Sequence, residues 1–191
     1  MKLNAGCGHR RLYGWLNVDA WVGCAPDLVW DLEQTPWPWA DDAFEAVLFN
    51  HSLEHMGASS AVFLAMVGEL YRVCGDGAEI QINVPHPRHD NFLGDPTHVR
   101  PLLPQTLSLF DARLNDGWAA EGAANTPLAH HLSVDFELVR AVHVLDERHR
   151  ARLEAGAATS AEVQELLRSQ FNVCAEIQMT LKTHKPSRAK R

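Results

Sequence analysis

Short runs rich in apolar and β-branched residues recur along the chain. They read KLNA from Lys2, WLNVD from Trp15, DLVWDL from Asp27, EAVLFN from Glu45, AEIQINVP from Ala78, VDFELVRAVHVLD from Val134 and NVCAEIQMTLKT from Asn172. Bounded by turn residues, they predict about seven strands, near the upper end of the usual range for one sheet. Between the fourth and fifth runs the period changes. Phe63, Met66, Val67, Leu70, Tyr71 and Cys74 fall on one helical face, with Ser59 or Ser60 able to cap the start and Gly75 just beyond the end. A strand, a helix and a strand in that order form the right-handed unit that joins parallel strands. Pro104 to Leu114 predicts a second helix, with Leu107, Phe110 and Leu114 on one side and Leu109 at its edge. Thr159 to Ser169 predicts a third, opened by the capping-box spacing TSAE and followed by Val163, Leu166 and Leu167. The fold class expected is α/β: a mostly parallel sheet with an antiparallel C-terminal strand and helices on both faces. Residues 34–42, 86–101 and 115–131 are rich in Gly, Pro, Asp and Asn and read as loops, the last two long enough to carry chemistry.

A chain of 191 residues, 46% hydrophobic, can bury one substantial core. We expect a single domain over 1–185 with substrate loops within about 86–131, then a solvated basic tail at 186–191. The formal net charge of −7 argues against a nucleic-acid partner, because counterion release needs a basic face. Cys7, Cys24, Cys74 and Cys174 show no CxxC pair and suit reduced thiols. No segment reads as a secretory signal, and none approaches the roughly 20 apolar residues of a membrane span. A soluble, cytoplasmic protein is expected, with no membrane partner.

In an open α/β sheet, ligands bind beyond the carboxyl ends of the strands. There the sequence sets Ala5-Gly6-Cys7-Gly8 after the first run, Asp19 after the second, Asp31-Leu32 after the third, Asn50-His51 after the fourth and Pro85-His86 after the fifth. Small residues let a ligand approach the backbone, and an acid after the second strand suits ribose hydroxyls. The lack of a GK[ST] element disfavours a nucleoside triphosphate.

These segments together, LNAGCG, NVD, LEQTPWPWADDAFEAVLFNHSLEHM and LYRVCGDGAEIQINVP, resemble the successive motifs of class I S-adenosylmethionine-dependent methyltransferases, closest to a short bacterial subgroup. The resemblance is good over residues 2–85 and looser over the strands near 134–145 and 173–183. It implies the cofactor S-adenosylmethionine. Asn4, Ala5, Gly6, Cys7 and Gly8 would then line its methionine and ribose portion and Asp19 would hold the ribose hydroxyls. Asp31 and Leu32 would flank adenine, and Asn50 and His51 would border the methionine side. A sulfonium carries its own positive charge and no phosphate, so a loop without Lys or Arg suits it. The sequence departs from the family where eight residues, His9 to Leu16, separate Gly8 from NVD, too few for the usual long helix. It also reads CGDG where the family has a Pro-Gly-Gly turn, and we expect the substrate lid, which many relatives build from an N-terminal helix, to come from residues 86–131 or from another subunit.

Eleven histidines make His the residue to weigh individually. His86, His89 and His98 stand in the loop after the fifth strand, where relatives bind the methyl acceptor; we expect one of them, His86 or His98 first, to act as general base. Alternatively the loop's histidines and aspartates merely order it, or hold a divalent metal. Arg100, Trp118 and His130 are candidate acceptor contacts, and Trp37 and Trp39 read as packing. HSLEH at 51–55 also matches a zinc-peptidase pattern, but we assign no residue to a metal. The expected function is methyl transfer to an oxygen or nitrogen nucleophile of a small molecule or saccharide, the alternatives being a non-catalytic S-adenosylmethionine-binding module or a zinc hydrolase using His51 and His55. A homodimer could supply the missing lid.

Overall fold

In the computed structural model, residues 1–189 are described. Seven strands form one sheet: β1 (Lys2–Ala5), β2 (Leu16–Asp19), β3 (Leu28–Val29), β4 (Phe44–Asn50), β5 (Cys74–Pro85), β6 (Phe136–Leu145) and β7 (Cys174–Thr183). Their spatial order is β3-β2-β1-β4-β5-β7-β6. Strands β1 to β5 pair in parallel, while β7 is antiparallel to both β5 and β6, so six strands share one direction. The chain works outward from β1 to β3, returns to β4 beside β1 and then works the other way. The crevice beyond the ends of β1 and β4 is therefore the topological switch point.

Helices α1 (Ser60–Val73), α2 (Asp90–Leu93), α3 (Pro104–Ser108), α4 (Ala112–Glu121), α5 (Leu128–Leu132), α6 (Glu147–Glu154) and α7 (Ser160–Ser169) complete the domain. The Ser59 side chain accepts from the Val62 amide, and α1 buries Phe63, Met66, Val67, Leu70 and Val73. These join Leu3, Val47, Phe49, Ile80, Ile82, Met179 and Leu181 in one core. The expected capping box on α7 is present between Thr159 and Glu162. Among the described residues no helix is long and apolar enough to cross a membrane.

The usual helix between β1 and β2 is absent, and a polar network stands where it would pack. Asn4 and Asn17 are register partners on adjacent strands. The Asn4 amide donates to the Arg10 carbonyl and to Asn17 Oδ1, each at 2.9 Å. Asn17 Oδ1 accepts from the Leu12 amide at 2.7 Å, and its Nδ2 donates to Leu12 O, Trp15 O and Asp27 Oδ2. A loop lying on a sheet must have its backbone groups satisfied, and these two asparagines do that over 10–15. The Asn17 backbone amide, which donates to Asp27 Oδ2 at 2.9 Å, and its side-chain Nδ2 hold the Asp27 carboxyl below the usual carboxylate range.

Three expectations are corrected. The segment Pro104–Leu114 is not one helix: Asp111, buried, turns its carboxylate onto the Arg113 and Leu114 amides and starts α4 afresh. An Asp at such a point satisfies the first amides of a new helix better than it continues the old one. Helix α4 and the short α5 therefore occupy much of the stretch expected as loop. Helix α6, capped by Asp146 on the Arg148 amide, was not anticipated, because its side chains lack an apolar face. Finally, the basic tail does not stand free through residue 189. Ser187 Oγ donates to Val134 O, and the Arg188 guanidinium donates to the fully buried carboxylate of Asp135 at 2.6 and 3.0 Å. Residues 190 and 191 of that expected tail lie outside the described residues.

Candidate functional site

At the end of β1 the backbone turns at Gly6 and Gly8, both with positive φ, while the Gly6 and Cys7 amides donate to Val18 O. A Cβ on Gly6 would lie 2.5 Å from Ser52 Cβ, and Ser52 Oγ donates to Ala5 O at 2.7 Å. Gly6 is thus dictated by close packing of the two strand ends. Gly8, by contrast, faces open space and donates its amide to Asp19 Oδ2 at 2.8 Å. The other carboxylate oxygen of Asp19 accepts from the Trp21 amide at 2.9 Å. Each oxygen keeps a second lone pair, so the orientation of Asp19 is fixed while acceptor capacity remains.

Gly6, Gly8 and Asp19 form one wall of a cleft of about 390 Å³ at the switch point, a size typical of small-molecule sites. Trp30, Asp31, Leu32 and Glu33 form the wall after β3, and His51, Ser52, His55 and Met56 the wall after β4. The lining carries three carboxylates and no Lys or Arg, which suits a cationic, hydroxyl-bearing ligand and opposes a phosphate. Glu33 closes the far end by accepting from the Gly57 amide. Trp37 Nε1 donates to Leu32 O at 2.9 Å, and Arg72 ties the Trp37 and Trp39 carbonyls to α1, so these tryptophans pack behind the cleft, as expected.

Of the residues implied for the cofactor, Gly6, Gly8, Asp19, Asp31, Leu32 and His51 meet at this cleft. Asn4, Ala5 and Cys7 are buried behind the turn. Asn4 is engaged in the network under the 10–15 loop, and burial pushes the Cys7 thiol up to about 11, with the neighbouring Cys24 and Asp19 adding to it. Asn50 Oδ1 accepts from Asn83 Nδ2 on the next strand. Trp30, Glu33, Ser52 and Met56 line the cleft without having been singled out. They follow strand ends, which was the available signal, but their facing depends on the turn geometry.

The three loop histidines do not come together. His86 lines a separate recess with Arg88, Gln105 and His143; its Nδ1 accepts from the Arg88 amide, and burial lowers its pKa to about 4. His89 caps α2 through Nδ1 and turns Nε2 toward Asp146 at 3.4 Å. Both order the loop, and neither lines the cleft, where His86 was expected beside it. His98 instead packs edge-on to His55 with centroids 4.6 Å apart and against Phe92 at 5.2 Å. The Val99 and Arg100 amides donate to Glu54 O, and Arg100 Nε donates to Gly57 O with its guanidinium over the Phe63 ring. Arg100 therefore straps the loop to the turn after β4. Trp118 is half-buried on α4, and His130 on α5 lies 3.3 Å from Asp116; neither lines the cleft.

The turn after β4 holds an unusual carboxylate. Glu54 is 1% exposed, and neither oxygen of its side chain is hydrogen-bonded among the described residues. Burial pushes its pKa above the usual carboxylate range, opposed by its own backbone amide and by His55, His51 and His98. His51 Nδ1 stands 3.7 Å and His98 Nε2 4.0 Å from Glu54 Oε1. The zinc-peptidase pattern is not realised as a helix: His51 has φ +53°, and only a three-residue 3-10 turn, Leu53–His55, follows. Its Nε2 meets Glu176 at 2.7 Å.

The sequence matches no protein-family model and no curated protein. Solved structures are similar in fold. A SAM-dependent methyltransferase from Archaeoglobus fulgidus superposes with a TM-score of 0.61 at 16% identity, over 95% of this chain and 85% of that one. A SAM-dependent methyltransferase from Methanosarcina mazei gives 0.56 at 11% identity, over 96% and 92%. The 1,6-didemethyltoxoflavin-N1-methyltransferase of Burkholderia thailandensis, solved with 1,6-didemethyltoxoflavin and S-adenosylhomocysteine, gives 0.52 at 11%, over 96% and 71%. With the strand order above, the chain has the class I S-adenosylmethionine-dependent methyltransferase fold.

Proposed function

We propose that this protein transfers a methyl group from S-adenosylmethionine to an oxygen or nitrogen nucleophile of a small molecule or saccharide. The observation that carries this reading is the switch-point cleft, where a glycine turn and an oriented Asp19 face a lining of carboxylates without Lys or Arg. The residues fit the cofactor: Asp19 offers lone pairs to a ribose diol, Leu32 and Trp30 offer apolar surface to adenine, and the carboxylates offset the charge of a sulfonium. When bound, S-adenosylmethionine supplies an electrophilic methyl group.

The chain's own residues orient and exclude. The 86–101 loop, strapped by Arg100 to the turn after β4, carries His98 to His55 at the edge of the cleft. An acceptor entering there meets imidazole nitrogens able to bind its hydroxyl or amine, and holding it in line supplies much of the acceleration. His98 is the imidazole placed to accept a proton from the acceptor, while His86 and His89 order the loop.

Isothermal titration with S-adenosylmethionine and with S-adenosylhomocysteine tests this reading. One-to-one binding is expected, weakened about 100-fold or more in Asp19→Ala, since that change removes charge-assisted hydrogen bonds. No binding of either ligand to the wild type at millimolar concentration would sink the proposal. Binding followed by mass gain on candidate acceptors would then identify the substrate.

A further inference from the structure

We propose that Glu54, His55 and His98 bind a divalent transition-metal ion at the edge of the cleft, leaving positions open for an oxygen of the acceptor. The metal site stands on its own geometry. The role toward the acceptor rests on the methyl-transfer reading above.

The proton inventory points to a cation. His98 Nδ1 lies 2.9 Å from Phe92 O, and a carbonyl can only accept, so Nδ1 carries the proton. Its Nε2 is then a lone pair in the neutral ring, between Asp95 Oδ2 at 3.8 Å and Glu54 Oε1 at 4.0 Å. His55 Nδ1 lies 2.9 Å from Thr97 Oγ1, and the Thr97 hydroxyl itself donates to Asp95 Oδ1 at 2.6 Å. Thr97 therefore accepts from His55, whose Nε2 is likewise a lone pair. A third imidazole repeats the pattern: His51 Nε2 faces the Glu176 carboxylate at 2.7 Å, leaving Nδ1 as the lone pair 3.7 Å from Glu54 Oε1. The lone pairs of His98 and His51 thus converge on a buried carboxylate that receives no hydrogen bond among the described residues, with the His55 ring packed against His98. A shared proton does not resolve this, because 3.7 and 4.0 Å are both too long for a hydrogen bond. A metal ion does, since it takes carboxylate and imidazole lone pairs together.

The dimensions suit one. One ligand atom from each of Glu54, His55 and His98 lies within 4.8 Å of the others. Bonds of about 2.0–2.2 Å hold ligand atoms at most about 4.4 Å apart, so closure takes small side-chain adjustments. The Phe92 carbonyl behind His98, and the Thr97 hydroxyl backed by Asp95 behind His55, fix the two rings in the way that partners on the opposite nitrogen orient metal-bound histidines. Glu54 is anchored as well, its carbonyl receiving the Val99 and Arg100 amides. Two imidazoles and a carboxylate favour zinc, manganese, cobalt or iron(II) over calcium or magnesium. Coordinated there, a hydroxyl acceptor would lose its proton more readily, the ion acting as a Lewis acid.

The experiment uses tag-free protein stripped with chelator and titrated with cobalt(II), read by d–d absorbance and by calorimetry. One cobalt per chain is expected, with absorbance intensity of a low-coordinate site, and binding weakened at least about tenfold in Glu54→Gln and in His98→Gln. His89→Gln, which alters a histidine outside the site, should bind as the wild type does. Melting curves without metal check folding; Glu54→Gln should melt at or above the wild-type temperature because it removes a buried, unpaired charge. Unweakened cobalt binding in both Glu54→Gln and His98→Gln, or no stoichiometric binding by the wild type, overturns the site. Cobalt binding to a chain that fails to bind S-adenosylmethionine would sustain the metal site while removing the methyl-transfer reading, and binding of S-adenosylmethionine without cobalt would do the reverse.

Discussion

Two groups of histidines share the loop after β5 and differ in what their second nitrogen faces. His86 and His89 turn Nδ1 back onto the amides two residues ahead, and their surroundings are those of a packed loop. His98, a few residues further on, gives Nδ1 to a carbonyl and directs Nε2 at Glu54 across the turn after β4. Residue type and loop are the same in both cases. The difference lies in which lone pair remains and what stands in front of it, and that decides whether an imidazole is a loop fastener or a site.

The sharpest way to break this contrast is kinetic. Once an acceptor is in hand, His98→Ala should lower kcat/KM by roughly 100-fold or more, the scale of a lost proton-transfer or metal-ligand role. His86→Gln should stay within about twofold of wild type, as a residue outside the cleft should under transition-state bookkeeping. Equal losses in the two variants would erase the distinction. Which parameter falls also matters, since a loss confined to KM would make His98 an acceptor contact only.

An effect of comparable size is expected in acid stability. Burial depresses the His86 pKa from 6.5 to about 4 in the folded chain, with Arg88, His143 and His89 adding to it. The unfolded state therefore binds the proton first, and the associated stability is fully present above about pH 6.5 and is lost as pH falls toward 4. The loss is on the order of 3 kcal/mol at its limit. Denaturant titrations of wild type and His86→Gln across that window should diverge, the variant showing the shallower decline. Parallel curves would mean that His86 is not held neutral by its surroundings.

The smallest expected effect tests the far edge of the sheet. Arg188→Ala leaves the buried Asp135 carboxylate with only its backbone donors and should cost about 1–3 kcal/mol, a melting shift of several degrees. Arg188 and the other donors overcome burial to hold Asp135 below the usual carboxylate range. Its contribution is therefore present above the unfolded carboxylate pKa and lost as pH falls through the lower folded value. The difference between wild type and Arg188→Ala should narrow over that same acid range, while cofactor affinity stays unchanged.

Much of this molecule was determined locally. The alternation in EAVLFN and AEIQINVP, the helical stripe from Phe63 to Tyr71 and the capping box at Thr159 each specify an element through neighbours a few residues away, and each is present, although Cys74, expected on the helix, opens β5. The glycine turn and Asp19 were legible for the same reason: strand ends and small residues adjoin in sequence. Tertiary structure alone decided the rest. Whether Pro104–Leu114 continued as one helix depended on the burial of Asp111, and whether the tail docked depended on Asp135, 53 residues away from Arg188. That Asn4 ties down the loop over 10–15 followed from its register partner Asn17. Above all, the selection of His98 from among the loop histidines required the turn after β4 to bring Glu54 and His55 against it. A lone pair's direction is set by the hydrogen bond on the opposite nitrogen, and that partner is chosen by packing between segments that the sequence keeps far apart.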